Sequence, residues 1–361
     1  MKLSITQENL NHGLSTVSRI IGNRNTLPVL ANVLLQTKDN RIQLSATNLE
    51  MGITHWIGGK VEEDGAVTIP AKLFSEYVHN LPAGNVSLTC EKDTVHIDSN
   101  GFSSKINGIS AEEFPSIPSV SGNVEFQVAA KTLKNALSQV VHVTSGDDSR
   151  PVLTGVYLHT RDGMLYAVAT DSYRLAEKQI METDAECNVV VPARTVSEVL
   201  RLLGEGEDVT VKIDDNQISF GFNETELVSR IIDGEFPDYR QLIPQEVPTT
   251  ARVNTGELQD ITKAATLFAR ETTGSVTVKI ARDSLYMESV ASQVGENSSE
   301  ISGEVSGEDM EVALNGKYIA DALSVIDTDQ VDISLTGKVN PCLIQPVDDD
   351  SYLHIVMPLR S

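Results

Sequence analysis

Aromatic residues are scarce in this chain, with eight phenylalanines, eight tyrosines and one tryptophan among 361 residues. Stacking successive nucleobases needs a row of exposed rings, so a platform for single strands is not expected. Cysteine is scarcer still. Cys90, Cys187 and Cys342 lie too far apart for a disulfide framework or a paired-cysteine metal site, and each reads as a small apolar strand residue. No apolar run approaches the ~18 residues of a membrane span. The segment from Met1 to Leu10 moves straight into polar residues without the apolar stretch of a signal peptide. No membrane partner and a cytoplasmic location are therefore expected.

Catalytic signatures are missing as well. There is no phosphate-binding loop, dinucleotide fingerprint, zinc-protease helix or serine elbow. The histidines (His12, His55, His79, His96, His142, His159, His354) never stand four apart on a helix. Asp147-Asp148 and Asp348-Asp349-Asp350 lack the spacing of a calcium loop. Ser172 follows Asp171 but has no nucleophile elbow, which sets a hydrolase aside. No catalysis, no metal and no cofactor are expected.

Positive charge is also in deficit, with 28 Lys and Arg against 51 Asp and Glu and a net charge of −23. Taken in bulk, that balance argues against nucleic acid.

What the chain does contain is a repeat. Thr26-Leu27-Pro28-Val29-Leu30 is echoed by Ser149-Arg150-Pro151-Val152-Leu153, and Pro70-Ala71-Lys72 by Pro192-Ala193-Arg194. Ala46-Thr47-Asn48 returns as Ala169-Thr170-Asp171, and Phe114-Pro115 as Phe236-Pro237. All are 122 or 123 positions apart. A fainter third copy places Asn315-Gly316-Lys317 after Pro192-Ala193-Arg194, and Leu285-Tyr286-Met287 after Leu165-Tyr166-Ala167. Proline-bearing connectors run from Glu112 to Pro118 and from Glu235 to Pro244. Domains of 1–121, 122–245 and 246–361 follow.

Each domain reads as an α+β unit holding the same motif twice, an amphipathic helix followed by short alternating strands. The stripes Leu10/Leu14/Val17/Ile21, Leu133/Leu137/Val140 and Leu258/Ile261/Ala265/Phe268 predict the first helix of each domain. Leu73/Tyr77/Leu81, Val196/Val199/Leu203 and Ile319/Ala322/Ile326 predict the second. The expected architecture is antiparallel sheets with two helices per domain packed on their inner faces.

Charge is divided unevenly across this plan. The six helical windows carry nine cations (Arg19, Lys72, Lys131, Lys134, Arg194, Arg201, Lys263, Arg270, Lys317) against six anions, a net +3 that leaves −26 on the rest. One reading is a set of solvated faces on an acidic repeat scaffold or adhesion protein that binds other proteins. The other is a mildly cationic surface backed by acid, suited to a duplex contacted through phosphates without reading sequence.

The repeat, together with Thr170-Asp171-Ser172-Tyr173-Arg174-Leu175-Ala176, Phe236-Pro237-Asp238-Tyr239-Arg240 and Val356-Met357-Pro358-Leu359-Arg360, resembles the bacterial sliding clamps, the beta subunits of DNA polymerase III. The resemblance covers the whole chain. It implies a head-to-tail homodimer forming a six-domain ring that encircles duplex DNA and tethers a polymerase to it, conferring processivity without catalysis. By the same likeness Arg24, Lys72, Arg150 and Arg194, joined by the helix cations Lys131 and Lys134, are expected near DNA. A cleft for short peptides is implied at Leu153, Thr170, Ser172, Tyr173, Arg174, Leu175, Pro237, Leu242, Tyr318, Val339, Ile355, Met357, Pro358 and Leu359, with Arg174 orienting a polar peptide end. Departures at Gln241, where some members carry a cation, and at Pro341 imply an altered peptide preference. Leu267, Phe268 and Phe102 match the dimer interface. Implied partners are double-stranded DNA, the replicative polymerase catalytic subunit, the clamp loader, and other polymerases and repair proteins.

Overall fold

The computed structural model describes residues 1–22, 27–38, 40–204, 206–270, 273–291, 293 and 295–359. Among these, six α-helices are present: α1 (Gln7–Val17), α2 (Ala71–His79), α3 (Ala130–Val141), α4 (Ala193–Leu202), α5 (Thr255–Ala269) and α6 (Gly316–Leu323). Each begins at the residue after a strand ends. Side-chain oxygens mark three of the starts. Thr6 accepts from the Asn9 amide, Asn254 from Glu257 and Asn315 from Lys317, each satisfying an amide the helix leaves unpaired. No described helix is long and apolar enough to cross a membrane.

The chain divides into two compact units that cut through the middle repeat. One comprises Met1–Lys131 with Ser197–Ile231, the other Thr132–Val196 with Ile232–Ser361. The cause is strand pairing across repeats. In the first unit an eight-stranded sheet runs Val124–Ala129, Asp208–Ile213, Gln217–Phe222, Thr225–Arg230, Met51–Ile57, Arg41–Thr47, Asn32–Lys38, Ala66–Pro70. Its middle joint binds strands of two different repeats, from Thr225 opposite His55 to Ser229 opposite Met51. In the second unit a nine-stranded sheet runs Asn188–Pro192, Gly155–Arg161, Met164–Thr170, Arg174–Glu182, Tyr352–Val356, Cys342–Pro346, Gln330–Leu335, Thr249–Asn254, Glu304–Ser306. Here Arg174 through Lys178 face Val356 through Tyr352, the repeat-equivalent joint. All these pairings are antiparallel.

Two smaller sheets complete the units. The first unit's runs Lys60–Glu63, Lys2–Thr6, Asn85–Glu91, Thr94–Ser99, Phe102–Asn107. The second unit's runs Gly295–Ser302, Ser284–Ala291, Ser275–Ala281, Met310–Asn315. Each therefore has Phe102–Asn107 or Gly295–Ser302 as an outermost strand, bonded on one side only.

Helices pack on sheet faces as the periodicity predicts, with two shifts of phase. Leu10, Leu14 and Val17 of α1, Leu133, Leu137 and Val140 of α3, Val196 and Val199 of α4, and Ile319 and Ala322 of α6 are buried. In α2 the buried stripe is Ala71, Phe74 and Val78, whereas the predicted Leu73 is 54% exposed. The sequence offers two overlapping stripes there, and the larger Phe74 takes the interior. In α5, Leu258, Thr262, Ala265 and Ala269 go inward, leaving Ile261 and Phe268 half-buried.

Buried histidines sit at both joints. His55 bonds Thr225 across the first (Nδ1 to Oγ1, 2.9 Å), and burial followed by the neighbouring His12 pushes its pKa down to about 4. His354, wholly buried in the second, is held well below the ordinary range by burial, then by His142 and Arg174. A depressed pKa contributes stability that is present above the unfolded value and lost as pH falls toward the folded one. Acidification from pH 7 to 4.5 is thus expected to remove about 2 kcal/mol through His55 alone. Thermal melts of wild type and His55→Asn across this range check it, because the variant's pH dependence should be shallower by that amount.

Candidate functional site

The Thr-Asn/Asp echo has a structural cause that shapes the site. In the second repeat Asp171 Oδ1 accepts the amides of Tyr173 and Arg174, and Thr170 Oγ1 bonds the Arg174 carbonyl at 2.7 Å. In the first, Asn48 and Thr47 do the same for Glu50 and Met51. Both turns carry a left-handed residue, Ser172 at φ 77° and Leu49 at φ 75°. A short polar side chain that satisfies two turn amides is what this geometry requires.

In the second repeat that turn presents Tyr173 to solvent and draws Arg174 inward. The Arg174 guanidinium, its side chain only 8% exposed, donates to Asp171 (3.0 Å), Asp321 (2.6 Å) and the His142 carbonyl (3.2 Å). It also lies 4.4 Å from the centre of the Tyr318 ring. Each of its three nitrogens makes one of these bonds, so Arg174 braces the turn.

The cleft residues expected from sequence separate into layers. Leu153, Thr170, Leu175 and Ile355 are buried, with Leu175 and Ile355 packed in one cluster with Tyr166, Val168, Tyr239 and Leu343. Tyr318, Met357, Pro358 and Leu359 are half-buried, while Ser172, Tyr173, Pro237, Leu242 and Val339 are exposed. The tail is anchored by Met357 N–H to the Tyr173 carbonyl and Leu359 N–H to Ala313, both 2.8 Å. Leu242 and Met357 line an open groove of about 770 Å³ together with Ile243, Pro244, Thr336 and Pro341. Gln241, Gln245 and Asn340 add neutral amides, and Glu246 is its one charged lining residue. Such a groove accepts apolar side chains with amide hydrogen bonds and offers nothing cationic to an acidic peptide.

The cations expected near a polyanion are spread along helix starts and one turn. Lys72 in α2, Lys131 in α3 and Arg194 in α4 are exposed, and Lys134 is half-buried. Arg150, also exposed, donates to Ser172 Oγ at 2.7 Å. Arg24 lies outside the described residues. No salt bridge among the described residues involves Lys72, Lys131 or Arg194, which suits weak, long-range attraction.

The apolar patch expected at an interface gathers beside a bare edge. α5 packs on the outermost strand Gly295–Ser302, with Phe268 Cε1 3.8 Å from where a Gly295 Cβ would stand. Leu267 is 61% exposed next to it, and Phe102, at the start of the other outermost strand, is 52% exposed.

Sequence reasoning missed Asp321 and the group Glu177, Tyr239 and His159. The motif containing Tyr239 was visible, but nothing local marks a carboxylate 62 positions away as its partner.

Comparison with known proteins matches the whole length of the chain to one family. The family described as DNA polymerase III beta subunit, N-terminal domain, matches residues 1–118, its central domain residues 127–238 and its C-terminal domain residues 240–360. The Beta sliding clamp of Synechococcus elongatus is 32% identical over 375 residues, covering 100% of this chain and 99% of the relative. That of Staphylococcus epidermidis is 29% identical over 376 residues, covering 100% of both. The crystal structure of the DNA polymerase sliding clamp from Bacillus subtilis matches with a TM-score of 0.96 at 28% identity, covering 100% of this chain and 99% of that one.

Proposed function

The chain belongs to the DNA polymerase III beta-subunit family, the sliding clamps, and from that membership we propose that two copies close head to tail into a ring around duplex DNA. It is a non-catalytic processivity factor of replication, and we place its work in the cytoplasm. The three repeats are its domains, 1–121, 122–245 and 246–361.

One observation supports closure above the others. The strand joint between neighbouring repeats is made twice inside the chain, with Thr225–Arg230 on Met51–Ile57 and with Tyr352–Val356 on Arg174–Glu182. The repeat counterparts of those partners that remain bare are Phe102–Asn107 and Gly295–Ser302. A second copy, turned by a two-fold axis, offers each bare edge its complement, and both edges disappear at once. The same repeat register sets Lys105 opposite Glu296, two charges of opposite sign on one face. Leu267, Phe268 and Phe102 gather on the other face.

Within the ring, Arg24, Lys72, Lys131, Lys134, Arg150 and Arg194 attract phosphates loosely, so that the duplex is retained by enclosure and free to slide. The groove around Leu242 and Met357 takes short apolar peptides from the replicative polymerase, the clamp loader and repair proteins. Loading the protein onto nicked circular plasmid with a clamp loader and ATP, then cutting the plasmid, tests enclosure. Retention on the circle and loss on linearisation is the expected result. Equal, salt-dependent loss from both forms would mean ordinary surface binding.

A further inference from the structure

The groove's wall is a short piece of connector, and its anchorage is unusual. Gln241 through Pro248 line the groove, and they emerge from a single 3-10 turn, Tyr239–Leu242. Tyr239 is 4% exposed and Glu177 5%. The Tyr239 hydroxyl donates to the Glu177 carboxylate. Because a phenol has one proton, His159 Nε2, 2.9 Å from the same oxygen, must be the donor in the second bond. The imidazole is thereby fixed as its Nε2–H tautomer, and a chain runs from His159 through Tyr239 to Glu177.

Around this chain the protein concentrates rings that it uses sparingly elsewhere. Phe236 stacks on Tyr157 at 4.7 Å, Tyr157 on His159 at 4.6 Å and His159 on Tyr166 at 5.3 Å. With Tyr239, four of the sixteen Phe and Tyr residues of the chain meet here. The charged neighbours are Arg161, 5.3 Å from the Tyr166 ring, and Arg240, 3.7 Å from Glu177. The two strands paired with that of Glu177 set Leu353 and Val168 opposite it, both apolar.

The first repeat shows that a connector can be held without any of this. There the counterparts of Glu177 and Tyr239 are Thr54 and Ile117, and Ile117 simply lies over Gly52, within 3.0 Å of where its Cβ would be. An apolar plug holds that connector even though Ile117 and Pro118 line an open groove of about 590 Å³ of their own. Burying a carboxylate instead is costly unless it is fully partnered. Consistent with that cost, burial raises the Glu177 pKa, opposed by the Tyr239 bond and Arg161.

Resting on the reading of the groove as a peptide site, we propose that Tyr239, held between Glu177 and His159, is a positioning residue that fixes the groove wall and sets the affinity for partner peptides. The polar chain is a directional anchor, and the wall beginning at Gln241 inherits that definition.

The sign of the titration separates this role from mere support. A raised folded pKa contributes stability that is fully present below the unfolded value and lost as pH rises through the folded one. Burial thus makes the ionised form of Glu177 a burden on the fold, and Glu177→Gln is expected to melt no lower than wild type at pH 7.5. Yet it loses the charge-assisted bond to Tyr239. In titrations of the dimeric protein against immobilised replicative polymerase catalytic subunit, Glu177→Gln and Tyr239→Phe are each expected to raise Kd about tenfold. As pH falls and Glu177 protonates, the wild-type Kd should converge on that of Glu177→Gln above the range where His159, pushed down to about 4 by burial and then Arg161, titrates in both proteins. Wild-type affinity in both variants, or parallel pH profiles, overturns the proposal. Leu242→Glu with Met357→Glu is the control for the groove. If that pair leaves binding intact, the groove reading itself fails, whatever Tyr239 does.

Discussion

Replacing Leu267 by aspartate is expected to convert the dimer into monomers at micromolar concentration without unfolding the chain. Leu267 is 61% exposed, so in a lone copy the new carboxylate meets water and costs the fold little. At the proposed closure it meets Phe102 and the flank of Phe268, where an unpaired charge is desolvated. A two-fold head-to-tail ring contains the contact twice, so one substitution acts at both junctions. If each loses about 2 kcal/mol, the dimer weakens by about a thousandfold. Sedimentation velocity across a dilution series measures this directly, and a dimer that survives at wild-type strength would place the interface elsewhere. Lys105→Glu should weaken the dimer more modestly, as exposed ion pairs do. Adding Glu296→Lys should restore it, which tests the register as well as the surface.

Loss of Arg174 should have the largest effect on stability. Its guanidinium stands between Asp171 and Asp321 and under the Tyr318 ring. Alanine there leaves two carboxylates facing a space with no cation, and the His142 carbonyl without its donor. Breaking a buried ion pair by removing one member costs about 3–5 kcal/mol, and the partial exposure of Asp321 favours the lower end. About 3 kcal/mol corresponds to a melting temperature lower by roughly 6–12 °C for a unit of this size. Calorimetry checks it, and an unchanged melting temperature would mean that the guanidinium is solvated and not a brace. Met51, the counterpart in the first repeat, is simply a buried apolar side chain. The charged knot thus belongs to the turn that carries Tyr173, not to the fold in general.

Much of this protein is legible in its sequence, for reasons the structure makes plain. The echo of Thr47-Asn48 in Thr170-Asp171 can be read because each pair closes the same turn with the same hydrogen bonds, so few other residues would serve. Helices α3, α4 and α6 follow their predicted stripes because each has a single run of apolar residues at the right spacing. In α2, Leu73 and Phe74 compete for one face, and only packing decides between them. Pairing of Thr225–Arg230 with Met51–Ile57 cannot be read at all, since alternation shows that a strand has two faces but not which distant strand it joins. The groove was half legible. Leu242 and Met357 followed from the resemblance, whereas Ile243, Pro244, Val247 and Pro248 did not, and the layering of Leu175 and Ile355 beneath Tyr239 depends on where a connector folds back. Arg174 illustrates the same limit, because a cation in a turn looks available until Asp321, 147 positions later, is found beside it.

The strand joints inside the chain also bear on what a severed backbone would do. A cut between the first and second repeats, near residue 121, would leave Thr225–Arg230 still bonded along its length to Met51–Ile57. The same holds for a cut near 245, with Arg174–Glu182 and Tyr352–Val356. Peptide continuity is therefore a minor part of what keeps neighbouring repeats together. A protease that nicks either connector produces two fragments that stay married through their sheets, so a gel under denaturing conditions and a native one would disagree about whether the molecule is whole.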